Sequence, residues 1–165
     1  MPIGGRGVTW QSVDLPIMSF AEQDGTTTLV HHGVATGVFA PYAWRMDANV
    51  WSELSRRLEV PRNYASGVLS VQCDVDVTAN TAENITMLLY MRAVGAGGAT
   101  NTDPPQTDTK TIGGMTANKR YTFDLAGAAV SEGDLLHVLL RTHPGGPAAS
   151  VFIYVTAVRL VYLGF

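Results

Sequence analysis

Residues 69–78 alternate without a break: Leu69, Val71, Cys73, Val75 and Val77 take one parity, and Ser70, Gln72, Asp74, Asp76 and Thr78 take the other. A period of two predicts a strand with one face on a core and one face in water. Two other segments break this rule. In residues 151–163, Val151, Ile153, Val155, Val161 and Leu163 share one parity, while Phe152, Tyr154, Val158, Leu160 and Tyr162 share the other. Residues 85–94 repeat the excess, with Ile85, Met87, Leu89 and Met91 set against Leu88, Tyr90 and Val94. Their β-branched and aromatic composition makes both segments strands, and apolar side chains on both parities predict cover on both faces. A second copy of the chain is the simplest cover for a domain of this size. Leu88, Tyr90, Phe152, Tyr154, Leu160 and Tyr162 are the expected oligomer-interface residues.

Strands are also predicted at residues 27–31, 43–50, 121–125 and 135–142, with turns at Glu132-Gly133-Asp134 and at residues 143–147. Residues 49–58 read either as a short helix capped by Asn49, with Trp51, Leu54 and Leu58 at helical spacing, or as an irregular crossing that ends at Pro61. Residues 95–119, with Gly97-Gly98, Pro104-Pro105 and Gly113-Gly114, read as a long polar loop, a kind of segment usually kept for binding. Residues 1–30 carry Gly4, Gly5, Gly7, Pro16 and the turn at Asp24-Gly25, without the regularity of a core strand. They predict an extended N-terminal arm that finds a partner surface, with Trp10, Ile17, Met18 and Phe20 as its anchors. Short strands, Gly/Pro/Asn turns and scarcely any helix predict an all-β chain: an arm over residues 1–30 and a β-sandwich domain over residues 31–165.

Charge narrows the partners. The formal net charge is −3 and Arg56, Arg57 and Arg62 form the only local basic cluster, which argues against nucleic acid. No run approaches the roughly 20 apolar residues that span a bilayer, and residues 1–8 do not open a signal peptide, so no membrane partner is expected and a cytosol-like compartment is. The lone Cys73 sits on the apolar parity and reads as a buried small hydrophobe. No nucleophile elbow, phosphate loop, zinc-protease or calcium motif is present, and no cofactor-binding, metal-binding or catalytic set assembles. His31 and His32, adjacent on a strand, point to opposite faces, and His137 and His143 stand alone in sequence. Asp74 and Asp76, roughly 7 Å apart along a strand, read as a solvated face and not as a catalytic carboxylate pair. Trp10, Trp44, Trp51, Tyr42 and Tyr64 are a candidate sugar-stacking platform, set against use as core, arm anchor or interface. Asn84-Ile85-Thr86 matches the glycosylation sequon without a secretory signal to give it meaning.

Arg57-Leu-Glu-Val-Pro61 followed by Gly67-Val-Leu-Ser-Val71 resembles the early strands of TNF/C1q-like jelly rolls. Tyr121-Thr-Phe-Asp-Leu125, then Glu132-Gly-Asp134 opening residues 135–140, is similar to the junction before the last strands of that fold. The resemblance covers residues 40–163 and implies a jelly-roll β-sandwich that forms a homotrimer about an apolar threefold interface. No collagen stalk precedes it. Short, single-domain, weakly charged jelly rolls of this kind resemble the trimeric decoration (cement) proteins of tailed bacteriophages. That resemblance implies a non-enzymatic virion protein, assembled in the host cytoplasm, that binds the major capsid protein or other virion subunits on the capsid surface. The alternative is a carbohydrate- or receptor-binding jelly-roll module of a phage tail fibre or baseplate, with a glycan as partner, using the 95–119 loop and Trp44 or Trp51.

Overall fold

The computed structural model describes residues 7–22, 27–32, 41–142 and 151–165. Its strands are β1 (Thr9–Leu15), β2 (Ala21–Glu22), β3 (Thr28–His31), β4 (Tyr42–Asp47), β5 (Glu53–Glu59), β6 (Tyr64–Val77), β7 (Thr81–Val94), β8 (Gln106–Met115), β9 (Tyr121–Ala129), β10 (Leu135–Thr142) and β11 (Phe152–Gly164). They form two antiparallel sheets. The first runs β3-β4-β11-β6-β9, with β1 also paired to β11, and the second runs β2-β5-β10-β7-β8. Leu69, Val71, Cys73 and Val75 of the first sheet and Met87, Leu89, Val138 and Leu140 of the second belong to the one buried core between them. The expected all-β sandwich is therefore observed. The turn expected at residues 143–147, His143 and the Asp24-Gly25 turn lie outside the described residues.

The core-facing parity of the last strand changes along its length, and the cause is local. Against β6, Val155 pairs with Val75, but the next pair is Ala157 with Asp74, so one extra residue bulges out at Thr156. A bulge shifts the side-chain phase by one. Ile153 and Val155 face the core before it, and Val158, Leu160 and Tyr162 face the core after it. The core-facing parity switches at the bulge, while Phe152, Tyr154, Val161 and Leu163 stay on the outer side of the strand. Leu160 and Tyr162, expected at an oligomer interface, are 0% and 2% exposed inside the sandwich and have no side-chain surface to give to a second copy. The same bulge marks where β11 changes partner along one edge: β4 pairs residues 152–155 and β1 pairs residues 158–164.

The N-terminal segment is not a free arm. β1 adds to the first sheet, the chain turns through a single 3-10 turn at Ile17–Ser19, and β2 adds to the second sheet beside β5. Leu15 and Phe20, either side of that turn, are both buried in the core, and Trp44 Nε1–H donates to the Ile17 carbonyl at 2.9 Å. Residues 9–22 thus clasp both sheets.

Two further expectations are corrected. Residues 53–59 are a strand, since Leu54 pairs with Leu140 and Leu58 with Leu136. A four-residue spacing satisfies both a helix turn and a strand alternation, which is why the two readings compete. Residues 106–115, expected as loop, are the edge strand β8. Its threonines are β-branched yet polar, and Lys110 guards the edge, so it lacks an apolar face to announce it. Where β8 meets β9 the sandwich is stitched by Asp108, which accepts from Ala126 N–H and Thr109 N–H at 2.8 Å each. Burial alone would raise the Asp108 carboxyl; these two backbone donors and Lys110 outweigh it and hold it below its ordinary value.

Candidate functional site

The outer face of the second sheet is built from every second residue of β5, β10 and β7, and register sorts these into cross-strand rows. Glu53, Arg141 and Leu88 form one row; Ser55, Leu139 and Tyr90 the next; Arg57, His137 and Arg92 the third. The segment following β7 folds back over this face. Gly97 adopts φ +78°, a left-handed turn that glycine accommodates without strain, and Gly98 N–H donates to the Gly95 carbonyl at 3.0 Å. Met91 N–H then donates to the Pro105 carbonyl at 3.0 Å, and Arg57 Nη2 to the Thr100 carbonyl at 3.3 Å.

Between the loop and the sheet lies a cleft of about 350 Å³ lined by Glu53, Tyr90, Asp103, Pro104, His137, Leu139 and Arg141. That volume lies within the usual range of small-ligand pockets, about 300–1,000 Å³. Arg141 is its organising side chain. The guanidinium carbon stands 4.9 Å from the ring centroid of Trp51 and 4.9 Å from that of Tyr90, and Arg141 is ion-paired to Glu53. Its Nη1 also reaches Tyr90 Oη at 3.5 Å, while its Nε is buried without a partner. Stacking and pairing on several sides hold a planar fork of donors in one orientation. Trp51 remains 42% exposed at the rim. His137 is pushed below its ordinary 6.5 first by burial and then by the Arg57 charge, with Asp103 pulling the other way. Its ring is thus neutral at pH 7, one nitrogen donating and the other accepting. A second hollow of about 300 Å³, lined by Ser19, Ala21, Ser55, Arg56, Arg57 and His137, adjoins the first across His137.

The opposite outer face has a different character. Asp74, expected in water, is 2% exposed: Arg159 donates to its two oxygens from Nη1 and Nη2 at 3.0 and 2.9 Å, and Thr122 Oγ1–H donates at 2.6 Å. Asp76 Oδ1 lies 2.5 Å from His32 Nε2, and that ring stacks on Tyr154 at 4.0 Å. These carboxylates are tied to fixed partners, which corrects the reading of a solvated face. Among the described residues no group of His, Cys, Asp or Glu is placed to hold a metal ion.

The residues singled out in sequence scatter. Trp44 and Tyr64 are core, so the aromatic platform dissolves; Trp51 stands beside the cleft through its stacking on Arg141. Of the arm anchors, Phe20 is buried in the core and Ile17 is partly buried against it, whereas Trp10 and Met18 are 68% and 59% exposed. Of the interface residues, Tyr90 lines the cleft, Leu88 is buried on the same side of the sheet, Tyr154 stacks on His32, and Phe152 lies under Arg45 at 4.9 Å. Sequence reading missed Glu53, Asp103 and Arg141 as a set. The one local signal was the alternation His137, Leu139, Arg141 on the parity opposite the apolar Leu136, Val138 and Leu140.

Neither a protein-family model nor a curated protein matches this sequence. Solved structures do. A family 35 carbohydrate-binding module from Clostridium thermocellum aligns with TM-score 0.57 at 12% identity, over 91% of this chain and 97% of that one. The CBM36-1 domain of a multidomain xylanase from the hindgut metagenome of Trinervitermes trinervoides aligns with TM-score 0.51 at 10% identity, over 92% and 96%. The K1 cleaved adhesin domain of Lys-gingipain from Porphyromonas gingivalis W83 aligns with TM-score 0.51 at 14% identity, over 94% and 99%. The fold is a jelly-roll β-sandwich.

Proposed function

We propose that this chain is a non-catalytic carbohydrate-binding jelly-roll module whose sugar site is the cleft over the second sheet. The observation that carries the reading is the Arg141 fork, held by Trp51, Tyr90 and Glu53 beneath the loop that bears Asp103 and Pro104. A sugar presents apolar C–H faces and vicinal hydroxyls. It is matched by aromatic and proline surface beside planar donors and carboxylate acceptors whose geometry is set in advance. Preorganisation matters because each side chain immobilised on binding subtracts about 0.5–1.5 kcal/mol from the affinity. Two of the solved structures sharing the fold are carbohydrate-binding modules by name, which supports the reading.

A glycan array followed by calorimetry tests it. The unmodified chain should bind at least one oligosaccharide, and Trp51→Ala and Arg141→Ala should each weaken that binding by about tenfold or more, while Trp10→Ala leaves it intact. No binder on the array, or binding indifferent to both cleft substitutions, would sink the proposal.

The second reading, a homotrimeric decoration protein on a phage capsid, has its own support in the exposed apolar side chains of the first strand and its turn, Val8, Trp10, Val13 and Met18. Its location on a virion assembled in the host cytoplasm stands or falls with it. Solution mass separates the readings: a stable trimer that loses shell binding on Trp10→Ser would favour this one.

A further inference from the structure

Arg57, His137 and Arg92 stand directly opposite one another across β5, β10 and β7, spanning roughly 10 Å at ordinary strand spacing. Two guanidinium-bearing residues flank His137 in this row, and His137 is depressed first by burial and then by the Arg57 charge. The compensation is meagre. Glu53 is engaged by Arg141, Asp103 is close enough to act on His137, and Glu59 lies one row further along, opposite Leu135. Among the described residues no carboxylate is within ion-pair distance of Arg56, Arg57 or Arg92, and Arg56 Nη1 is buried without a hydrogen-bond partner. Such a concentration is notable in a chain whose net charge is −3. It also sits where two hollows meet: His137 lines both, and Arg56, Arg57, Ser19 and Ser55 line the one beyond it.

We infer that the ligand of the cleft is an acidic glycan whose carboxylate or sulfate oxygens lie over the Arg57–His137–Arg92 row, its neutral ring beside Trp51, Tyr90 and Arg141. This rests on the carbohydrate reading above and names the class of sugar. The anion takes charge-assisted hydrogen bonds from guanidinium forks that lack a protein carboxylate. It also relieves the repulsion within the row, so binding raises the affinity of His137 for a proton.

Calorimetry on the full chain with four probes decides it: trigalacturonate, its uncharged counterpart galactotriose, a sulfated trisaccharide, and sodium phosphate. At low salt one of the acidic trisaccharides should bind about tenfold to a hundredfold more tightly than galactotriose. The carboxylate and sulfate arms show which oxyanion is preferred. Arg92→Gln should remove most of that preference while galactotriose binding persists, Arg57→Gln should remove it as well, and the exposed Arg62→Gln should change nothing. Raising the salt should erode the acidic preference alone. Equal affinity for acidic and neutral trisaccharides overturns the inference and leaves the carbohydrate reading standing. Phosphate binding as tightly as either acidic trisaccharide overturns it in favour of a free anion. Failure of every probe, together with a blank glycan array, removes the carbohydrate reading and this inference with it.

Discussion

Asp74 is a carboxylate with almost no solvent contact, and Arg159 with Thr122 makes that tolerable. Burial alone would push its pKa up; the Thr122 hydroxyl, the Arg159 fork and the nearby Arg120 outweigh it and bring it below the ordinary 3.8. The sign follows. A carboxyl depressed in the native state contributes stability at pH above its unfolded value and loses it as pH falls through the native one. Removing the fork reverses the case, because a buried charge then has no strong partner. Arg159→Met should therefore cost about 2–4 kcal/mol at pH 7, read by urea unfolding. The deficit should shrink as pH falls through the raised pKa of the Asp74 carboxyl in the variant, where that group becomes neutral. Asp74→Asn in the same chain should restore part of the loss at pH 7. A deficit independent of pH would mean that Arg159 acts through its aliphatic stem and not through its charge. Cys73, beside it, faces the core, and burial pushes its thiol far above the usual range, which agrees with its sequence reading as a small hydrophobe.

At the scale of the element, close approach between strands explains the least tolerant position. A Cβ at Gly127 of β9 would collide with the Leu69 carbonyl oxygen and stand 2.5 Å from Met91 Sδ, and the adjacent Ala128 N–H already reaches that sulfur at 3.3 Å. Since the collision involves backbone, it cannot relax by rotamer change. Gly127→Ala should destabilise by about 2–3 kcal/mol in thermal or chemical unfolding, and a neutral result would mean that β9 and β6 do not approach this closely at Leu69. Legibility also varied by element. The strand β6 is readable because residues 69–78 put apolar side chains on one parity and polar ones on the other. The polar edge strand β8 is not, since its pairing with β7 rests on backbone and threonine contacts, such as Thr86 Oγ1 with Thr111 Oγ1 at 2.8 Å. The strand β11 is legible as a strand, but not the change of core-facing parity within it, because a bulge leaves no residue-type signature.

For the whole molecule, the N-terminal residues matter more than an arm would. They give one edge strand to each sheet and bury Leu15 and Phe20 in the core. Deleting residues 1–15 removes β1 and the Leu15 side chain and uncovers the edge of β11 after the bulge. The melting temperature should fall by about 5–15 °C, measured by calorimetry on the truncated chain. An unchanged value would mean that β1 docks without contributing to the domain.

The sequence alone determined that the chain is a strand-rich, all-β sandwich, because alternation and turn residues are local properties. It holds Trp51, Tyr90 and His137 in segments with nothing local to join them. Tertiary structure decided which parity of β11 faces the core, that Leu160 and Tyr162 lie inside, and that Arg57, His137 and Arg92 share a row beside the Arg141 fork. Those facts depend on register between segments distant in sequence, and a single bulge or a one-residue shift would rearrange all of them.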